Sequence, residues 1–316
     1  MKRYVLGLLL PLLLGPVVVA GLIYFDAGAP PNQNALIMQA KLDRARELKS
    51  PKIVLIGGSN VFFAFRAEQI ERETGVPAIN LALTAGLGVD YLLFLTRQVL
   101  EPGDVVIVAF EYLFYDKNET VTAGNAALAL WNGSEWLKQL PLEQRILWLR
   151  NLSAETLAFG ALAQIRKPRF TLPVGIIDAR GDNIANTGFR LVVDGMPGAK
   201  FGTFHFDPEG TTTAALRSFF EWCRRHRVRY AAAWPTFNEA LVRPDAFNAF
   251  TKTLTAFFAD QGAVVLGTPA DALLPGRLLV DGGWHTNAEG STLRTRRLIR
   301  DLAEAGLAPA AAPQPR

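Results

Sequence analysis

Ile53-Val54-Leu55-Ile56-Gly57-Gly58-Ser59-Asn60 is the stretch on which the reading of the fold turns. A short apolar, β-branched run without polar alternation suits a strand covered on both faces, as in a parallel sheet flanked by helices. The glycines behind it permit a tight turn and the close approach of a ligand. A serine placed there projects its hydroxyl at the carboxyl edge of the sheet. A helix cap or a phosphate-cradling loop would use the same residues. However, no Gly-x-Gly-x-x-Gly or Gly-Lys-Ser/Thr pattern follows, so nucleotide binding loses support.

Outward from this turn the pattern alternates. Helices are predicted near Arg66–Thr74, Asp90–Leu100, Thr212–His226, Pro244–Gln261 and Ala288–Glu304, and strands at Ala78–Leu81, Val105–Phe110, Val228–Ala233 and Ala263–Leu266. Such alternation predicts an α/β fold, a flavodoxin-like open parallel sheet of about five strands, with sites outside the carboxyl ends of the strands. The middle, about 118–211, breaks the rhythm with helical stretches at Trp131–Leu140, Leu142–Leu149 and Ala154–Ile165, then a Gly- and Asp-rich run. It reads as an insertion or lid within one domain spanning 51–306. Residues 27–50 form a helical connector, with Ala35, Met38, Leu42, Ala45 and Leu48 along one side. The Ala/Pro tail 307–316 completes the chain.

The chain has 316 residues, half of them apolar and a fifth charged, which excludes a disordered or fibrous protein. Part of that apolar excess sits in Tyr4–Phe25, 22 residues without a charge. As a helix this run would be about 33 Å long, enough to cross a bilayer. Lys2 and Arg3 precede it, and the next basic residue is Lys41. The positive-inside bias therefore predicts a single-pass anchor over 1–26 in the cytoplasmic membrane, the remainder being periplasmic or extracellular. A cleaved signal peptide is the alternative, with Val18-Val19-Ala20 or Ala27-Gly28-Ala29 as the cleavage site. Loss of Lys2, Arg3 and Asp26 lowers the net charge from +4 to only +3, which gives nucleic acid no support as a partner. The single cysteine, Cys223, forms no intramolecular disulfide and reads as a buried thiol.

Three histidines make the search for chemistry short. His226 lies in a basic helix end, and His205 is a loop residue with packing or substrate contact as its two readings. His285 stands in Val280-Asp281-Gly282-Gly283-Trp284-His285-Thr286-Asn287, after the last strand and before a helix, where a nearby carboxylate could hold an imidazole tautomer. Asn80-Leu81-Ala82-Leu83-Thr84-Ala85-Gly86 follows the second strand and could offer donors to an oxyanion. The scattered histidines and lone cysteine supply no metal cluster, and no cofactor motif is present. Arg294, Arg296, Arg297 and Arg300 form a basic helix segment, read as a solvated face or as a contact for anionic headgroups or glycan. Trp284 and Trp234-Pro235-Thr236 are expected near the pocket.

In order and strand position, Gly58-Ser59-Asn60, Asn80 to Gly86 and Asp281 to Asn287 resemble the motifs of the SGNH (GDSL-like) hydrolase superfamily. The likeness extends to its membrane-anchored exported branch, which includes alginate O-acetylation proteins and the D-alanine transfer protein of teichoic acid synthesis. The resemblance implies Ser59 as nucleophile, His285 as general base and Asp281 as orienting acid, with the Ser59 amide and Gly86 in the oxyanion hole. Asp281 lies four residues before the histidine where the family usually has three. Either the loop absorbs one residue or a Ser-His dyad operates. Phe110-Glu111-Tyr112 stands where the family usually has Gly-x-Asn-Asp. Asn60 or Asn80 could replace the missing donor, or Glu111 has another role. The function so implied is O-acylation of an envelope or secreted polysaccharide, or of a lipid-linked acceptor, alongside a membrane-bound O-acyltransferase. The alternatives are a carbohydrate or lipid esterase using the same residues and a non-catalytic assembly protein on a decayed fold.

Overall fold

Ile53 to Ile56 are all buried and form β1. In the computed structural model, which describes residues 33–116, 135–150, 176–184, 186 and 204–309, β1 lies between β2 (Ala78–Asn80) and β3 (Val105–Val108), paired in parallel with both. β4 (Arg229–Ala232) adds to β3, and β6 (Val264–Val265) to β4, also in parallel. The strand order is β2-β1-β3-β4-β6. A two-residue pair, β5 (Phe237–Asn238) with β7 (Leu273–Leu274), forms a separate small sheet. The fold class is therefore α/β with a five-stranded parallel sheet. The strand order turns from one side of the sheet to the other between β1 and β3, the kind of switch point at which doubly wound sheets bind ligands.

Local sequence explains the helices. After α1 (Gln33–Glu47), the short α2 (Ser59–Ala64) starts at the Gly-Gly turn, and α3 (Ala67–Thr74) ends at Gly75 in the left-handed conformation. Gly88, also at positive φ, admits α4 (Val89–Arg97). Helices α5 (Glu135–Gln139) and α6 (Leu142–Arg150) are separated by Pro141, as expected of a residue that cannot continue a helix. α7 (Thr211–Arg225) and α8 (Pro244–Asp260) precede β4 and β6. α9 (Ala288–Glu304) is capped by the Asn287 side chain, which accepts the Gly290 N–H. α4 and α7 pack on one another and against β1 and β4, while α9 packs on α2 and α3. These bounds agree with the predicted elements to within a few residues.

The chain divides into two compact units, one of residues 1–36 with 121–172, the other of residues 37–120 with 173–316. The stretch predicted as one insertion is thus shared between them, its later part belonging to the unit that holds the sheet. The predicted anchor over 1–26 and the helical stretch 154–165 lie outside the described residues. Among the described residues no helix is long and apolar enough to cross a membrane.

One expectation about charge, the solvated basic helix segment, needs correction at Arg294. Lys41 is also buried, at 1% exposed, and shares the inner face of α1 with Ile37, Met38, Leu42 and Ala45. Its amino group donates to the Ala82 carbonyl and lies 4.1 Å from the Phe62 ring centre. Arg294 is likewise buried, its guanidinium donating to the carbonyls of Asp271 (2.7 Å) and Trp234 (2.6 Å), so it is no part of a basic surface. At the opposite edge of the sheet from Ser59, Lys52 and Asp104 form a fully buried ion pair of 2.9 Å. Cys223 is buried as expected, and burial pushes its thiol up to about 12.

Candidate active site

The carboxyl ends of the parallel strands bring together segments distant in the chain. From β1 comes Ser59, the first residue of α2, whose N–H is one of the amides a helix leaves without an internal acceptor. From the last loop comes His285. Its Nε2 lies 2.8 Å from Ser59 Oγ, across a separation of 226 residues. Its Nδ1 lies 2.7 Å from Asp281 Oδ2. Serine, imidazole and carboxylate thus form a continuous line, the arrangement in which a serine can be deprotonated as it attacks.

The four-residue spacing from Asp281 to His285 is absorbed by the loop between them. Asp281 Oδ1 accepts the backbone N–H groups of Gly283 (3.0 Å), Trp284 (2.9 Å) and His285 (3.1 Å). Gly282 takes a φ of 71°, which a glycine adopts without strain. Burial alone would raise the Asp281 pKa. The hydrogen bond and charge of His285, with the Gly283 and His285 amides, outweigh it and hold the carboxyl well below the usual carboxylate range. The loop closes on itself through the Val280 N–H to His285 carbonyl bond of 2.8 Å. It is tied down by Asn238 Nδ2 to the Gly282 carbonyl (2.6 Å) and Thr286 Oγ1 to the Phe63 carbonyl (2.6 Å). The Phe63 ring packs 4.6 Å from the imidazole, and Trp284 meets Phe237 edge-on.

The expected oxyanion donors fare differently. Asn60 is fully buried and committed. Its N–H goes to Glu111 Oε1 (3.0 Å), its Nδ2 to the carbonyls of Thr236 (2.6 Å) and Trp284 (3.1 Å), and its Oδ1 accepts the Thr236 N–H (2.7 Å). Asn80 is equally buried, its Nδ2 directed to the carbonyls of Phe65 (3.0 Å) and Val61 (3.4 Å) and its Oδ1 to the Ala82 N–H. Neither side chain has a free donor for a ligand, so both are framework residues. Gly86 sits exposed on the 3-10 turn Ala85–Leu87, its N–H 3.3 Å from Thr84 Oγ1. Glu111 lies buried beneath the serine turn. Asn238 and Phe63 escaped the sequence reading, and no local pattern distinguishes them.

The other histidines stay apart from this line. His226 is exposed and stacks on Trp222 at 4.1 Å, and His205 is exposed with Nδ1 3.5 Å from Asp116. Among the described residues no group of three or more His, Cys, Asp or Glu is placed to hold a metal ion.

No protein-family model matches the chain, and neither does any curated protein sequence. Among solved structures it is similar to protein YXIM_BACsu of Bacillus subtilis, at 10% identity and a TM-score of 0.37. That match covers 82% of this chain and 58% of the other, so the chain spans little more than half of that protein's length.

Proposed function

We propose that the chain is a serine acyl-transfer enzyme of the SGNH hydrolase type, forming an acyl-enzyme on Ser59. The observation that carries the reading is the Asp281–His285–Ser59 line, with contacts of 2.7 and 2.8 Å at the carboxyl edge of a parallel sheet. In the acylation step Ser59 Oγ bonds to an ester or thioester carbonyl carbon while its proton passes to His285 Nε2. The tetrahedral oxyanion collapses with loss of the alcohol or thiol, which takes that proton. A second hydroxyl, from sugar or water, repeats the sequence in reverse and frees the serine. Asp281 holds Nδ1 protonated throughout, which leaves Nε2 to accept. The oxyanion donor in this reading is the Ser59 amide, since the Gly86 N–H is already directed to Thr84 Oγ1.

Within this reading, the apolar run Tyr4–Phe25 supports an anchored enzyme facing away from the cytoplasm. Its acceptor is then an envelope or secreted polysaccharide or a lipid-linked precursor, with a membrane-bound O-acyltransferase as the acyl supplier. The test uses the purified full-length chain with p-nitrophenyl acetate, with and without a glycan acceptor. Release of p-nitrophenol that accelerates with acceptor and leaves label on the glycan is expected. Release indifferent to acceptor identifies an esterase with the same residues. No release, with cellular function intact in Ser59→Ala, overturns the catalytic reading.

A further inference from the structure

A carboxyl group lies directly beneath the serine turn. Ala109, Phe110 and Glu111 carry β3 onward past Val108, and the Ala109 N–H still bonds to the Ile56 carbonyl at 3.0 Å. Glu111 is 3% exposed. Its Oε1 accepts the Asn60 N–H at 3.0 Å, while Oε2 is buried with no hydrogen-bond partner among the described residues. Both carboxyl oxygens occupy the space into which a Cβ on Gly58 would project. Gly58 and Glu111 therefore fit only as a pair.

For stability alone this is a poor arrangement, because a buried carboxyl with one oxygen lacking a hydrogen bond is unfavourable relative to an apolar chain of the same length. Burial raises its pKa, opposed by the backbone N–H groups of Asn60 and of Glu111 itself and, more weakly, by the charge of His285 and the Gly58 N–H. What the carboxyl does supply is direction. The amide that it fixes belongs to the residue immediately after Ser59. The Asn60 side chain in turn holds the carbonyls of Thr236 and Trp284, the latter adjacent to His285. One residue thus grips the serine turn by its backbone and the histidine loop by its side chain, and Glu111 sets where that residue stands.

We propose that Glu111 is a positioning residue for acyl transfer, acting through Asn60 to hold Ser59 Oγ in register with His285 Nε2. This rests on the proposed reaction of Ser59. Glu111 touches no substrate, since it lies under the backbone of the turn. A displacement of about 1 Å at a reacting atom lowers rates by roughly 100-fold.

The test compares Glu111→Gln, which keeps length and a carbonyl acceptor for the Asn60 N–H, with Glu111→Met, which keeps length alone. Each purified full-length protein is assayed for its rate of labelling by a fluorophosphonate probe, for kcat and KM on p-nitrophenyl acetate, and for Tm. The Gln variant should label within about threefold of the parent, and the Met variant about 30- to 100-fold more slowly. KM should change by less than about threefold and Tm by less than ~3 °C, because the lost hydrogen bond and the relieved carboxyl burial offset each other. Parental labelling of the Met variant overturns the inference while the serine reading stands. So does a Gln variant as slow as Met, or a fall in Tm that parallels the fall in rate. A parent that resists labelling as fully as Ser59→Ala overturns both.

Discussion

Replacing Asp281 by Asn tests the line of contacts at the point where geometry makes the sharpest demand. Asp281 Oδ1 receives three backbone N–H groups, whereas Oδ2 receives only His285 Nδ1. The amide oxygen of an Asn must therefore face the three N–H groups, which puts its NH2 where Oδ2 stood, 2.7 Å from Nδ1. An NH2 there can only donate, so Nδ1 becomes the acceptor and the ring proton moves to Nε2. The imidazole then offers a proton to Ser59 and cannot take one. This substitution should lower kcat by about 10³- to 10⁴-fold, equivalent to roughly 4–5.5 kcal/mol of transition-state stabilisation, with KM little changed. The loop should survive, since all three N–H groups keep their acceptor. Stability supplies a second readout. The folded Asp281 pKa is depressed, so its contribution is in place above the ordinary carboxylate value and is lost as pH falls toward the folded one. Tm should therefore drop more for the parent than for Asp281→Asn between neutrality and about pH 3. Fluorophosphonate labelling and ester turnover measure the first effect, and circular dichroism melts the second. Labelling of the Asn variant within about tenfold of the parent would refute the orienting role and leave a Ser-His dyad.

Other outcomes follow from the same structure. Gly58→Ala puts a methyl on the Glu111 carboxyl. It should destabilise the fold by about 1–3 kcal/mol in urea titrations and slow labelling of Ser59, and a neutral effect on both would contradict the packing described. Lys52→Met strands the buried Asp104 and should lower stability by about 3–5 kcal/mol without touching the rate at which the remaining folded protein is labelled at Ser59. Stability should pass through a shallow minimum near neutrality. Burial and then Asp178 raise Asp182 from 3.8 to about 7, so stability falls as pH rises through that window. Burial lowers Lys41 from 10.5 to about 7 against the pull of Asp182 and Asp178, so stability recovers as pH rises from there. Asp182→Asn should flatten the acid limb of a Tm–pH curve and spare the alkaline one; an unchanged acid limb would exclude this origin. A periplasm-active reporter fused after Asp26 should be active, and a silent fusion would remove the export proposal.

The parallel sheet of about five strands and the residues of the serine–histidine pair were legible because both rest on short-range patterns. A run such as Ile53–Ile56 must be covered on both sides, and a Gly-Gly-Ser turn at its end has one place to go. The acid was legible by composition, although not by spacing, because the backbone nest that absorbs the extra residue depends on the φ of Gly282. Asn60 and Asn80 misled for a definable reason. An asparagine near a site looks like a donor until its partners are known, and those of Asn60 lie 176 and 224 residues away. The role of Lys41 was not legible in the sequence, because only the folded chain places Asp182, Asp178 and the Ala82 carbonyl around it.

Ser59 and His285 lie 226 residues apart in the chain and 2.8 Å apart in the fold, and in the proposed reaction neither acts without the other. Until the closing loop has been made and fitted against α2, the serine is an ordinary alcohol. A nascent or half-assembled chain is therefore chemically silent toward acyl donors. If Ser59 reacts as proposed, its nucleophilicity arrives only when folding is complete, which guards against premature acylation. Probe labelling of Ser59 then doubles as a clock for the final folding step.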